Sequence, residues 1–326
     1  MSSAIRVEAA ALVTLQDAGR VGAMRYGVSQ SGPMDRIRFR IATALAGDTA
    51  VAFEVGIAGA AFVAEGPVRI AVAGPGFSVR VGNGEALAPP LRLVLADGER
   101  LAISAGARGM WASVAVAGLD PGAPALGSFA TNARTGFGAR DLSRAFPASA
   151  AHPAPPELFE DPVDGDGPVA ILPGPQHHLF SPDVRALFAG ADYRVSAQVD
   201  RMGYRLEGAP LRAASHDIVS DGVVEGAIQV PGNGQPIVLC ADRAPTGGYP
   251  KIAVVARADR PRLVQRRPGE TVRFRWEDEE TARRRWRALA AAAADPAPRV
   301  RAGFPPEYLA ARNLVGGVWA GDEESL

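Results

Sequence analysis

The chain has 326 residues, of which 47% are hydrophobic and 21% charged, and its formal net charge is zero. That composition supplies a sizeable core, is long enough for two domains at about 150 residues each, and excludes a disordered chain. A nucleic-acid binder needs a basic excess to neutralise phosphates, and none is present.

The single cysteine, Cys240, precludes an internal disulfide framework and fits a reducing, cytoplasmic setting. It lies in the apolar run Pro236-Ile-Val-Leu-Cys-Ala241 and reads as a small core residue, because reactive thiols sit in exposed electropositive surroundings. No run approaches the roughly 18 apolar residues of a membrane span. The opening Met-Ser-Ser-Ala-Ile-Arg-Val-Glu has an early acid and alternation, which argues against a signal peptide.

In chain order, the first clear element is a helix expected over 36–46, capped by Asp35 and ended by Gly47. Strands follow at 68–73, 77–81, 91–95 and 111–116. The stretch 146–167 replaces periodic apolar residues with Ala, Pro, Gly and acids, and reads as a linker. It suggests an N-terminal β lobe over 1–155 and a second β lobe over 156–326 that carries a C-terminal helix and tail. Beyond it come strands at 169–172, 193–195, 227–230, 237–239 and 271–274, a short helix over 181–188, and a polar helix over 278–294 with Trp286 and Leu289 as its apolar side. The turns Gly82-Asn-Gly84 and Gly232-Asn-Gly234 supply the positive φ of tight hairpins. The fold class is mainly β, with two β-barrel-like lobes and few short helices.

Several stock signatures fail. Gly247-Gly-Tyr-Pro-Lys251 is not a P-loop, Gly27-Val-Ser-Gln-Ser31 lacks the last glycine of a nucleophile elbow, and no Gly-x-Gly-x-x-Gly opens a helix. His152, His177, His178 and His216 have no metal-ligand spacing, and on a strand the adjacent pair would face opposite sides.

Two segments carry the chemistry. The first, Thr14-Leu-Gln-Asp-Ala-Gly-Arg20 through Gly27-Val-Ser-Gln-Ser-Gly-Pro-Met-Asp35, is too rich in glycine and polar groups for a plain strand or helix. It predicts an ordered loop in which Asp17 and Arg20 could pair. Asp35 is either a functional carboxylate or the N-cap of the following helix. The second segment runs from Asp200-Arg-Met-Gly-Tyr-Arg-Leu206 through Ser220–Pro231 to Ala241-Asp-Arg-Ala-Pro-Thr-Gly-Gly-Tyr-Pro-Lys251. Arg201 can grip a carboxylate bidentately, and Tyr204 and Tyr249 can stack or donate a hydrogen bond. Gln229 stands in an apolar strand, where a buried amide needs a partner or a ligand. Thr246, Gly247 and Gly248 offer consecutive N–H groups to an oxyanion, and Lys251, the only lysine of the chain, adds a point charge. The structural alternative makes Asp200–Arg201 and Asp242–Arg243 ion pairs and Gly247-Gly248 a turn.

These motifs, together with Gly226-Ala-Ile-Gln-Val-Pro, Gly234-Gln-Pro-Ile and a C-terminal Asn313-Leu-Val-Gly-Gly-Val, resemble the KipA family. That family includes the C-subunit of bacterial 5-oxoprolinase and is similar to the second half of the carboxyltransferase region of urea carboxylase, the allophanate hydrolase subunit 2 type. The resemblance implies cyclophilin-like β-barrel lobes, a KipI-like B-subunit and a LamB/YcsF-like A-subunit as partners, and ATP-dependent opening of 5-oxoproline to glutamate by the complex. On that basis Lys251, Arg201 and Thr246 are the expected catalytic residues, and Tyr204, Gln229, Asp242, Gly247, Gly248, Tyr249 and Asp35 the expected substrate contacts. The lone chain is expected to be inactive. The resemblance also admits biotin-dependent carboxyl transfer, with biotin carried on another chain because no Ala-Met-Lys-Met segment exists here, or a non-catalytic regulator that binds a KipI-like inhibitor. The chain departs from the family pattern at Thr43, Asp48 and Ala244-Pro245.

Overall fold

A computed structural model describes residues 3–9, 11–47, 49–138, 141–163 and 165–299. Asp48 and the 313–318 motif lie outside the described residues.

The first lobe is built from two antiparallel sheets packed face to face. One has the order Ala145–Ala148, Ser3–Ala9, Ala60–Glu65, Arg100–Ala105, Phe77–Val81. The other has the order Glu157–Leu158, Leu91–Leu95, Val68–Ala73, Trp111–Val116, Ala52–Gly56, Val13–Gln16. Strand Leu91–Leu95 buries every second side chain, the period-2 pattern that places alternate residues in a core. Between the sheets, Phe53 lies 5.4 Å from both Phe62 and Phe146, measured ring to ring. Strands Val68–Ala73 and Trp111–Val116 are buried on both faces, because α1 (Arg36–Ala46) covers the outer face of their sheet. Ile37, Ile41 and Leu45 of the helix meet Ala71, Ala73 and Ala115, whose small side chains let it approach.

The second lobe is an eight-stranded sheet with the order Thr271–Val272, Tyr193–Val199, Gly203–Glu207, Ile237–Leu239, Ala227–Gln229, Lys251–Val255, Val169–Pro173, Phe274–Trp276. Its two outermost strands, Thr271–Val272 and Phe274–Trp276, are separated in the chain by Arg273 alone. The sheet therefore curls until its edges nearly meet, which makes it a barrel. Phe188, Tyr193, Tyr204, Ile228, Val238, Ile252 and Phe274 belong to its core. α2 (Pro182–Gly190) starts at a Ser181 cap, α3 (Arg260–Val264) is a single turn or so, and α4 (Glu279–Ala294) starts at an Asp278 cap that accepts from Thr281 N. Trp286 and Leu289 of α4 pack against the cluster formed by α1.

The three expected helices are found within a residue or two of their predicted ends. The strand expected over 271–274 is divided at Arg273, because its halves bond to opposite edges of the barrel. His177 and His178 do not lie on a strand. Pro173-Gly-Pro175 ends the preceding strand, and both histidines fall in a 3₁₀ turn, His177–Leu179, where His177 stacks edge-on against Trp276.

Candidate functional site

The two polar, glycine-rich segments meet where the lobes join. Ser29 Oγ donates to the Arg243 carbonyl at 2.9 Å, and Arg201 Nη2 donates to the Gly32 carbonyl at 2.6 Å. The first segment is chiefly architectural. Gly19, at φ +91°, packs so closely that a Cβ would lie 2.8 Å from the Gln30 and Ser31 carbonyls, so the close approach is made to its own loop. Asp17 and Arg20 do not pair. Asp17 accepts from Gly19 N, Ser128 Oγ and Phe129 N, whereas Arg20 donates to the Ala125 and Ala130 carbonyls. Asp35 is the N-cap of α1: Oδ1 accepts from Arg38 N at 3.0 Å, while Oδ2 accepts from Arg38 Nη1 at 2.6 Å and from Gln265 Nε2 at 2.8 Å. With both oxygens engaged and the residue buried, Asp35 ties the start of the helix to Gln265 of the second lobe.

Arg201 does grip carboxylates, but those of its own chain. Its Nε and Nη2 donate to the two oxygens of Asp242 at 2.9 and 3.2 Å, and Nη1 donates to Glu54 Oε1. Glu54 also accepts from Met34 N at 2.6 Å, which ties the first lobe into the triad. Burial works against the Arg201 charge, and the fields of Glu54 and Asp242 more than offset it, raising its pKa. Burial likewise pushes the Glu54 carboxyl above its usual range, with Arg201 opposing. Arg201 and Asp242 are thus an interlobe fastening. Tyr204 is core: its hydroxyl donates to the Val264 carbonyl at 2.5 Å and accepts from Trp111 Nε1 at 3.2 Å. Glu54, a single acid in the apolar run Ala52-Phe-Glu-Val55, is the sequence signal that would have pointed to this triad.

Of the remaining expected residues, Gln229, Thr246 and Tyr249 line a cleft of about 520 Å³, together with Arg243, Asp200 and Arg205. The two-residue strand Thr246–Gly247 pairs with Asp221–Gly222 to form a small flap beside it. Neither Gly247 nor Gly248 has positive φ, and the Gly248 carbonyl accepts from Ile218 N. The expected anion-cradling nest is therefore absent from this segment, since a nest needs alternating backbone hand. What Gly247 provides is space: a Cβ there would lie 2.3 Å from Gln229 Nε2. Tyr249 stands at the rim, 43% exposed.

Gln229 and Lys251 face each other across adjacent antiparallel strands, so their side chains share one face of the barrel wall. The register slips between Ile228 and Gln229, a bulge of the kind that re-aims side chains beside functional sites. Both residues are buried, at 7% and 1% exposure, and among the described residues Gln229 Nε2 and Lys251 Nζ have no hydrogen-bond partner. Lys251 Nζ is 3.5 Å from Asp221 Oδ2, close enough for an ion pair, and its charge lowers the Asp221 pKa. Gln176 braces the pair by accepting from Lys251 N through Oε1 at 3.2 Å. A buried amide without an acceptor costs free energy, typically about 1–3 kcal/mol, and a carbonyl or carboxylate oxygen is the chemistry that would satisfy Gln229 and share the Lys251 amine with Asp221. Cys240 is core, and burial pushes its thiol pKa upward.

The sequence profile of the family described as "Carboxyltransferase domain, subdomain A and B" matches residues 26–276. The C-subunit of the Escherichia coli 5-oxoprolinase is 33% identical over 279 residues, covering 82% of this chain and 89% of that protein. Its Haemophilus influenzae counterpart, of the same name, is 30% identical, with 80% and 87% coverage. The crystal structure of the K. lactis urea amidolyase superposes with a TM-score of 0.79 over 89% of this chain and 20% of that one, at 24% identity, and so shares the fold. From the matched profile, the two 5-oxoprolinase relatives and the motifs that the cleft brings together, the chain belongs to the carboxyltransferase-domain family that includes the C-subunit of 5-oxoprolinase.

Proposed function

We propose that this chain is the C-subunit of an ATP-dependent 5-oxoprolinase that opens 5-oxoproline to L-glutamate, working with a KipI-like B-subunit and a LamB/YcsF-like A-subunit. The observation that carries this reading is the buried Gln229 Nε2, without an acceptor among the described residues at the wall of a cleft of small-molecule size, with the Lys251 amine paired across the strands to the same barrel face. A lactam is a poor electrophile, and opening it requires negative charge to grow on its carbonyl oxygen. Donors fixed in a protein wall before the reaction stabilise that charge without reorganising. Lys251 supplies full charge and Gln229 an oriented N–H, while the Asp221 flap covers the amine. ATP, bound by the complex, supplies the energy that makes the lactam carbon reactive. The extended Thr246–Gly248 segment does not fit a phosphate nest, so the complex binds ATP elsewhere.

Co-expression with the genes of the other two components, followed by a glutamate-release assay, tests the proposal. ATP-dependent release is expected from the complex and none from this chain alone. Lys251→Ala is expected to lower the complex's rate by about 10²-fold or more, the range found when one oxyanion donor is removed. A Lys251→Ala complex with full activity would sink the role given to the amine. The family profile also favours a second reading, carboxyl transfer to a small amide from biotin on another chain. A biotin carboxylase gene beside this one, and carboxylation in place of glutamate release, would select it.

A further inference from the structure

Arg243 shares with Arg20 the lack of a carboxylate partner among the described residues, but of the two only Arg243 lines the cleft that Gln229 lines. It is 4% exposed, yet its guanidinium reaches only the Val223 carbonyl at 3.4 Å, the Cys240 carbonyl at 3.3 Å and Met24 Sδ at 3.6 Å. The buried Arg201 and Arg38 each hold two carboxylates at close range, whereas Arg243 forms no ion pair among the described residues. A buried charge without a counter-charge is costly and ordinarily marks a place where a partner arrives. The surroundings sharpen the imbalance. Glu225 is the shared carboxylate, 2.9 Å from Arg36 and 3.8 Å from Arg260, and it also feels the Arg243 charge. Three guanidinium groups thus answer to one carboxylate. Burial, together with repulsion from its arginine neighbours, pushes the Arg260 pKa down to about 10. The short bonds here belong to Arg36, so the surplus positive charge sits on Arg243 and Arg260. Of these, Arg243 lines the cleft that Gln229 also lines.

We propose that Arg243 is the anion anchor of the cleft, holding a carboxylate carried by the same small molecule whose carbonyl oxygen meets Gln229 and Lys251. The choice of a carboxylate on a lactam rests on the 5-oxoproline reading; the anion site itself does not. The role separates substrates, because a neutral amide such as urea has nothing to place on Arg243.

The test is calorimetric titration of the full chain with 5-oxoproline, with 2-pyrrolidinone (the same ring without the carboxylate) and with acetate. Proteins compared are the wild type, Arg243→Met, Arg243→Lys and, as a remote control, Arg108→Gln from an exposed ion pair. Arg243→Met is expected to bind 5-oxoproline about tenfold or more weakly, to bind 2-pyrrolidinone like the wild type, and to lose acetate binding. Arg243→Lys is expected to retain acetate binding, and Arg108→Gln to match the wild type throughout. The thermal midpoint of Arg243→Met is expected to be no lower than that of the wild type, because the variant loses an uncompensated buried charge. A lower midpoint with unchanged 5-oxoproline and acetate binding would make Arg243 structural and overturn the proposal. So would wild-type protein that binds neither anion at about 10 mM, a concentration that nearly fills even a site of millimolar Kd. Acetate bound through Arg243 but displaced by no 5-oxoproline would keep the anion site and remove the 5-oxoprolinase reading. Glutamate release unaffected by Arg243→Met in the complex would do the reverse.

Discussion

Arg201→Met separates fastening from catalysis. The wild-type side chain sits between Asp242, at 2.9 Å, and Glu54, with a third bond of 2.6 Å to the Gly32 carbonyl. Methionine fills a similar volume but leaves two buried carboxylates facing each other without a cation. Breaking a buried ion pair by removing one partner costs about 3–5 kcal/mol, a large share of the roughly 5–15 kcal/mol that holds a typical domain together. Urea denaturation at neutral pH should show a loss of that size. The deficit should also depend on pH in a defined direction. The Glu54 carboxyl already titrates above its ordinary value in the folded protein, so its contribution is fully present below the unfolded-state pKa and is lost as pH rises through the folded-state pKa. Without Arg201 the folded pKa moves higher still. The variant's deficit should therefore be largest at neutral pH and shrink toward about pH 5, as the Glu54 carboxyl folds protonated. A loss below about 1 kcal/mol, within the range of an exposed pair, combined with abolished substrate binding, would refute the fastening role and return Arg201 to the substrate.

Gly247→Ala should displace the Gln229 amide, because its Cβ would lie 2.3 Å from Nε2. Activity of the complex is expected to fall by about tenfold or more with little change in thermal midpoint, since a misplaced donor weakens transition-state binding and not the fold; equal activity would show that the amide is not engaged. Asp259→Asn should make the protein less sensitive to acid. Burial alone would raise the Asp259 pKa, but hydrogen bonds from Arg285, Ala170 and Arg262 outweigh it and lower it, so the carboxylate stabilises the fold above its unfolded-state pKa and that contribution is lost as pH falls through the folded value. Acid titration followed by circular dichroism should show a shallower loss of stability below about pH 4 for the variant, starting from a lower value at neutral pH.

Local chemistry made the helices legible. Asp35 and Gly47 bracket α1, and Asp278 begins α4, because capping is decided by a few adjacent residues. Strands with strong apolar runs, such as 68–73 and 111–116, were equally readable. Strands such as Gly203–Glu207 and Arg100–Ala105 were not, because their mixed composition is decided by which barrel neighbour they find. The site divides along the same line. Gln229 in an apolar strand and the lone Lys251 are local anomalies; Gln229 lines the cleft and Lys251 pairs with it on the adjacent strand. Arg201 and Tyr204 had suitable functional groups, yet the sequence does not say which face of the wall they occupy or that Glu54, 147 residues away, waits for the guanidinium. Arg243 reads as half of an Asp-Arg pair; only packing shows that Asp242 turns to Arg201 and leaves its neighbour without a carboxylate.

The seam at Arg273 sets a timetable for the protein's assembly. Strand Val169–Pro173 takes one neighbour from Lys251–Val255 and the other from Phe274–Trp276, so its second flank stays unpaired until residue 276 has emerged from the ribosome. Long-range pairings of this kind form slowly and expose strand edges while they wait. The wall that carries Gln229 and Lys251 should therefore be among the last parts of the chain to become rigid. Chains that end before Phe274 should present an open strand to one another and aggregate, even though each residue of the cleft is present in them.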